Sequence, residues 1–224
     1  MAKRRPRLEQ RLPVELPPRL LLASASAARL RLLRSAGIEP LIKPSDVDEG
    51  AVVRAVSAEQ GTLSPADEAL VLARAKAEAV AAAVSGLVVL GCDSVLELDG
   101  VAHGKPAGPE EAAHRWRRMR GRHGVLHTGH WVIDRRAPDS PNRGGVASTI
   151  VHFAAITDAE IDAYVATGEP LAVAGAFTIE GLGGAFIDRI DGDPANVIGL
   201  SLPLLRRLLA ELSVSWPDLW NKAP

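Results

Sequence analysis

Leu87-Val88-Val89-Leu90-Gly91-Cys92-Asp93-Ser94-Val95 joins an apolar run to an aspartate, and the reading of this junction decides the class of fold. A short apolar run closed by a glycine reads as a buried strand, and a carboxylate at the end of such a strand stands where open α/β sheets bind ligands. A carboxylate fixed there holds a metal ion or accepts a proton from water. Downstream, Leu98-Asp99-Gly100-Val101 reads as a tight hairpin, because Asp-Gly takes the positive φ angles that such turns need. The chain is thereby expected to double back and bring His103-Gly104-Lys105-Pro106 to the same end of the sheet as Asp93. A carboxylate and an ammonium so placed suit a phosphorylated ligand.

Upstream, Ser64-Pro65-Ala66-Asp67-Glu68 opens a helix that runs through Ala73-Arg74-Ala75-Lys76-Ala77-Glu78. Ser64 caps it, Pro65 fits its first position, Asp67 completes a capping box, and Ser85-Gly86 is the expected stop. The spacing puts Ala73, Lys76, Ala77 and Val80 on one small-residue face. Lys76 either lies against the sheet or snorkels past the alanines with its charge in water, which is the commoner outcome. Near the N-terminus, Leu20-Leu21-Leu22-Ala23 is a short strand followed by the turn Ser24-Ala25-Ser26 and a helix that ends near Gly37. Free N–H groups make such a helix start an anion site, to which Ser24, Ser26 and Arg29 add donors. The plainer role is capping by Ser24 or Ser26, with Arg29 on the surface. Ser45-Asp46-Val47-Asp48-Glu49-Gly50 is an acidic cluster. Magnesium needs only one or two carboxylates beside phosphate oxygens and water, although such a cluster standing alone is usually a solvated loop.

Taken together, these segments resemble the Maf family of nucleoside triphosphate pyrophosphatases, also described as septum-formation inhibitors. The resemblance rests on Leu22-Ala23-Ser24-Ala25-Ser26-Ala27-Ala28-Arg29, Ser45-Asp46-Val47-Asp48-Glu49, Ala73-Arg74-Ala75-Lys76-Ala77, Gly91-Cys92-Asp93-Ser94-Val95 and Gly104-Lys105-Pro106. It continues through His127-Thr128-Gly129, Glu160-Ile161-Asp162-Ala163-Tyr164, Gly168-Glu169-Pro170, Ala174-Gly175-Ala176-Phe177, Glu180-Gly181-Leu182-Gly183 and Asn196-Val197-Ile198-Gly199-Leu200, over about residues 20–212. It implies an α/β fold of two lobes, shared with inosine triphosphate pyrophosphatases, in which a central twisted sheet flanks a cleft. It further implies that Asp93 is the proton acceptor for the attacking water, that Glu49 and Asp93 hold a divalent cation (Mg2+ or Mn2+), and that Ser24, Arg29, Lys76 and Lys105 hold phosphates.

The resemblance implies hydrolysis between the α- and β-phosphates, and a homodimer. The residues support that chemistry unaided, since lysines, an arginine and a divalent ion neutralise a triphosphate and its leaving group. Beside an inserted loop at residues 135–147, two departures stand out in the motifs themselves. The family's Pro-Arg-Arg is Ala27-Ala28-Arg29 here, so one arginine is missing, and Phe177 with Glu180 replaces the tyrosine and glutamine of the pyrimidine-selective pattern. Base preference is therefore open. Glu180, in a glycine-rich segment, is a candidate to accept hydrogen bonds from a base, and a plain turn between strands is an equal reading.

Composition narrows the alternatives. The chain has 224 residues, 47% of them hydrophobic, and a formal net charge of −1, enough for one core or two joined lobes and unlike a general nucleic-acid binder. Cys92 is the only cysteine, which rules out an internal disulfide and reads as a small packed residue. No apolar run approaches the ~20 residues of a membrane helix, so no membrane partner is expected and a cytoplasmic location follows by default. Residues 1–19 read as a basic, proline-rich extension, residues 20–213 as one catalytic domain and residues 214–224 as a tail. Residues 109–120 form an expected helix with Trp116 and Met119 inward and Arg115, Arg117, Arg118 and Arg120 in solvent. Residues 125–134 and 149–156 are expected strands, separated by an inserted loop over residues 135–147. Thr157 to Glu160 is a capping box, and residues 199–212 read as a closing amphipathic helix. The rival functions are a nucleotide-binding regulator linked to septation, favoured by the altered Ala27-Ala28-Arg29 motif, and a nucleic-acid module built on the basic residues.

Overall fold

The computed structural model describes residues 19–137 and 141–221. The expected basic extension lies, but for Arg19, outside the described residues, as do residues 138–140 of the expected loop.

Seven strands make one mixed sheet: β1 (Leu20–Leu22), β2 (Leu41–Ile42), β3 (Val88–Leu98), β4 (Val101–His103), β5 (His123–Asp134), β6 (Asn142–Phe153) and β7 (Ile187–Asp191). Their order is β2-β1-β3-β5-β6-β7, with β4 also paired to β3. The β1 pairings are parallel, and the remainder of the sheet is antiparallel. The helices are α1 (Ala27–Ser35), α2 (Glu49–Gln60), α3 (Pro65–Ala81), α4 (Pro109–Met119), α5 (Asp158–Ala166), α6 (Pro194–Ile198) and α7 (Leu202–Glu211). The expected α/β fold is present.

Asp93 does not end its strand. It lies within the eleven residues of β3, because the strand exchanges partners along one edge. β1 pairs with it only as far as Leu22 opposite Leu90, and β4 begins opposite Leu96. Between those registers, residues 91–95 have no strand among the described residues on that edge, while β5 pairs continuously along the other. The result is a notch in the sheet, with Asp93 at its centre.

Alternation along β3 sends Val88, Leu90 and Cys92 into a core with α1 and α7. Leu96 and Leu98 on the same face enter a second core with α4 and α5, around Trp116 and Phe153. These two cores are the two lobes. Val214 and Leu219 are buried in the first, with Trp216 packed against it, so the packing continues past residue 213. The opposite face carries α3. A Cβ on Gly91 would lie 2.2 Å from the Ala73 carbonyl oxygen, and one on Gly129 the same distance from that of Ala69. Only glycines permit this approach.

Local signals set most helix starts. The Ser64 Oγ accepts the Asp67 amide at 3.2 Å, and Thr157 with Glu160 forms the full capping box. Helix α3 stops at Ala81, before Ser85-Gly86, because Val84 and Leu87 are needed in a small core with Leu21 and Val89. The expected loop over residues 135–147 is half strand, since β6 begins at Asn142. Gly144 there is not a loop residue but the space beneath the Trp131 ring, where a Cβ would come within 2.1 Å of Cε3. The closing helix starts at Leu202, capped by Ser201, and not at Gly199, whose φ of 120° ends the separate short helix α6. Residues 182–186 form a 3-10 turn ahead of β7, and Phe177 is buried against Phe153.

The arginines of α4 and its C-cap residue Arg120 are paired. Arg117 meets Asp158 and Asp162, Arg118 meets Asp99, and Arg120 meets Asp158. Arg115 is not in solvent but buried, 4% exposed, and bonded to Glu111 and to the Gly104 carbonyl. No helix among the described residues is long and apolar enough to cross a membrane.

Replacing Gly129 by alanine forces α3 off the sheet. Overpacking of this kind costs about 1–3 kcal/mol, and a lowered denaturant midpoint for Gly129→Ala at unchanged m-value is the expected result.

Candidate active site

The notch brings together residues from four segments. On the α3 face, the Lys76 Nζ lies 2.5 Å from Asp93 Oδ1 and 2.6 Å from Glu49 Oε1. Lys76 therefore faces the sheet, not solvent, with its side chain 13% exposed. Of the acidic cluster, Glu49 reaches the site from the first turn of α2. Asp48 caps that helix, its Oδ1 accepting the Ala51 amide at 2.9 Å, and Asp46 is exposed.

On the other face, Ser26 caps α1 and Ser24 turns inward. Arg29 is buried and donates from Nε to the Gly199 carbonyl at 2.7 Å, from Nη1 to Ser24 Oγ at 3.1 Å and from Nη2 to Ser94 Oγ at 3.1 Å. Three of the five guanidinium donors are thereby used. Ser94 Oγ continues to Thr128 Oγ1 at 2.9 Å, which donates to the Asn196 carbonyl at 3.1 Å. Ser94 and Thr128 were not singled out as site residues, although alternation from Asp93 places Ser94 on the opposite face of the same strand.

Burial pushes the Asp93 carboxyl up from its ordinary value, against the opposing pull of Lys76 and Arg29. An aspartate at ~3.9 is a weak base at neutral pH, and this shift makes Asp93 a better one. Glu68 on α3 is a third carboxylate of the group. It is pushed up by burial, then by the charges of Asp93 and Glu49. Nothing in its sequence position marks it, because its proximity arises from the packing of α3. Cys92 is fully buried, and burial drives its thiol up to about 12, which rules out a thiolate nucleophile at neutral pH.

Lys105 and Glu180 stand apart from this group. Lys105 is exposed on the turn between β4 and α4 and makes no ion pair among the described residues. Glu180 is ion-paired with Arg31 of α1. The segment carrying Glu180 is held by Glu169, whose carboxylate accepts from Tyr164 Oη at 2.9 Å, Thr178 Oγ1 at 2.6 Å and the amides of Leu182 and Gly183 at 2.9 and 3.0 Å. Burial pushes Glu169 up, but those hydrogen bonds outweigh it and hold the carboxyl down to about 2.

The sheet of this chain is mixed and is notched beside a buried carboxylate–lysine group and a serine–arginine turn, and the chain belongs to the Maf-like family. The family's profile, described as Maf-like protein, matches residues 19–212. Among similar relatives, the protein named nucleoside triphosphate pyrophosphatase from Leifsonia xyli subsp. xyli is 56% identical over 210 residues, covering 92% of this chain and 98% of that one. The protein of the same name from Salinispora tropica is 55% identical over 213 residues, with 92% and 89% covered. The one from Mycobacterium sp. is 48% identical over 211 residues, with 91% and 99% covered.

Removing the charge of Glu169 leaves its four donors with a poorer acceptor. Lost hydrogen bonds to a charged group cost about 1.5–3 kcal/mol, so Glu169→Gln is expected to lower the melting temperature and to speed amide exchange at Leu182 and Gly183. Because the folded carboxyl titrates at about 2, its contribution is complete above the ordinary glutamate value of ~4.3 and fades as pH falls toward 2.

Proposed function

We propose that this chain is a nucleoside triphosphate pyrophosphatase that hydrolyses a canonical or modified triphosphate to the monophosphate and pyrophosphate. The observation that carries the reading is the buried Asp93 in the open notch of β3, with Lys76 and Glu49 converging on it. Asp93 takes the proton of a water as its oxygen attacks the α-phosphorus. The bond from that phosphorus to the bridging oxygen breaks, and the electron pair leaves with pyrophosphate. Ser24, Arg29, Lys76 and Lys105 bind the phosphates, and Arg29 is already oriented for it by Ser24 and Ser94.

Glu49 and Asp93 fit a divalent cation. Their oxygens converge on one cation position, now taken by the Lys76 ammonium, and two carboxylates suffice for magnesium when phosphate oxygens and water complete its shell. Such an ion would polarise phosphate oxygens and the water. The approaching triphosphate competes for Lys76, drawing the ammonium from the carboxylates and leaving one Asp93 oxygen for the cation and the other for the proton of the water. Glu180, ion-paired with Arg31, is the proposed contact to the base. Removal of noncanonical nucleotides, restraint of cell division, a cytoplasmic location and a homodimer belong to the same proposal and rest on the family resemblance. The ion pairs made by the α4 arginines count against the nucleic-acid reading.

Pyrophosphate release from a panel of triphosphates with magnesium or manganese tests the reading. Asp93→Asn is expected to lower kcat by about 10²–10⁴-fold, the range of general-base catalysis. Because Asp93 acts ionised and its pKa is raised, the acid limb of kcat/KM is expected above ~3.9. Triphosphate binding without release from any nucleotide would replace the enzyme by the regulator.

A further inference from the structure

We propose that Arg115 is a positioning residue for phosphate binding, which sets the place of Lys105 and couples it to the glycine-rich segment that carries Glu180; this rests on the reading of Lys105 as a phosphate ligand. Lys105 has no side-chain partner among the described residues, so the path of its backbone decides where its ammonium can reach. That path is fastened at both ends. The Gly104 carbonyl accepts Arg115 Nη1 at 2.6 Å, and the Ala107 amide donates to Glu111 Oε2 at 2.8 Å. Arg115 Nη2 closes the fork on Glu111 Oε1 at 2.5 Å. One turn of α4 therefore holds both sides of Lys105.

The same carbonyl reaches the other wall. Gly104 O also accepts the Gly175 amide at 3.1 Å, and the neighbouring Trp116 donates from Nε1 to the Ala176 carbonyl at 2.7 Å. Residues 174–176 precede the segment with Glu180, so Arg115 joins the turn of the proposed phosphate ligand to the start of the proposed base contact.

The position of Arg115 in the fold argues against a purely structural role. It shares its buried helix face with Ala112, Trp116 and Met119, which are fully buried. A guanidinium in such a place costs more to bury than an apolar side chain of similar volume, and replacing buried ion pairs by apolar residues is often neutral or stabilising. An arginine there supplies directed hydrogen bonds that an apolar residue lacks.

The test is a double-mutant cycle of Arg115→Met and Lys105→Ala, read by pyrophosphate release against triphosphate concentration and by thermal unfolding. Arg115→Met is expected to raise KM on the order of ten-fold, within the cost of a displaced binding group, with the melting temperature unchanged or higher. In the Lys105→Ala background its effect is expected to be much smaller than in the wild-type background, since the part exerted through Lys105 is already lost. A wild-type KM for Arg115→Met, or additive effects of the two changes, overturns the proposal. Should Arg115→Met not fold, Glu111→Gln, on the exposed half of the fork, enters the same cycle with the same kinetic expectations and a lowered melting temperature, since it leaves the buried Arg115 charge without its carboxylate. If the unaltered chain releases no pyrophosphate, the enzyme reading fails separately. The readouts are then calorimetry with inorganic pyrophosphate and amide exchange at residues 104–107. Weaker binding with faster exchange in Arg115→Met upholds the positioning role, and no change in either overturns it.

Discussion

Helix α3 lies closer to the sheet than a side chain on either strand beneath it would allow, and the site depends on that distance. Gly91 and Gly129 supply the flat floor, and Ala69, Ala73 and Ala77 the flat roof. Without room for water between the layers, the long polar side chain of Lys76 leaves at the margin, over the notch in β3. The close contact thus sets the height of the ammonium above Asp93. It also makes the surroundings dry, and this burial is the largest influence on the aspartate.

Dryness makes charge balance the next constraint. Asp93, Glu49 and Glu68 influence one another across the notch, and Lys76 is the cation that touches two of them. A triphosphate adds several negative charges to a place already rich in carboxylates. Under the proposed function, entry is favourable only with further cations, and the chain offers Arg29 behind the serine turn and Lys105 on the turn between β4 and α4. The missing arginine at Ala28 sharpens that need, and a divalent ion between carboxylates and phosphate is one physical way to meet it.

Much of this was legible in the sequence, and the parts that were not share a cause. Ser64, Thr157 and the Asp99-Gly100 turn act within a few residues of chain, and each forms what its local chemistry dictates. The strand–serine–helix start at Leu20 and the apolar run before Asp93 are equally local. Lys76 overturned the usual expectation for a lysine among alanines because two carboxylates distant in sequence wait at the margin of the sheet. Arg115 misled for the converse reason: residue type puts an arginine in water, but its partners are a carbonyl eleven residues back and a carboxylate one turn away. Glu68 carries no signal of its own, since only the docking of α3 brings it near Asp93. The strand at residues 142–147 was hidden by Gly144 and Gly145, whose meaning lies in Trp131 on the neighbouring strand and in Leu204 of α7.

Cys92 gives the strand a use unconnected with catalysis. Its side chain points away from Asp93 into the core formed by α1 and α7, and it is the only thiol in the chain. A reagent that labels thiols reaches it only when that core opens, so the rate of labelling reports the opening of the lobe that backs the site. The strand that carries the proposed base therefore also carries a single, silent gauge of how often the molecule breathes.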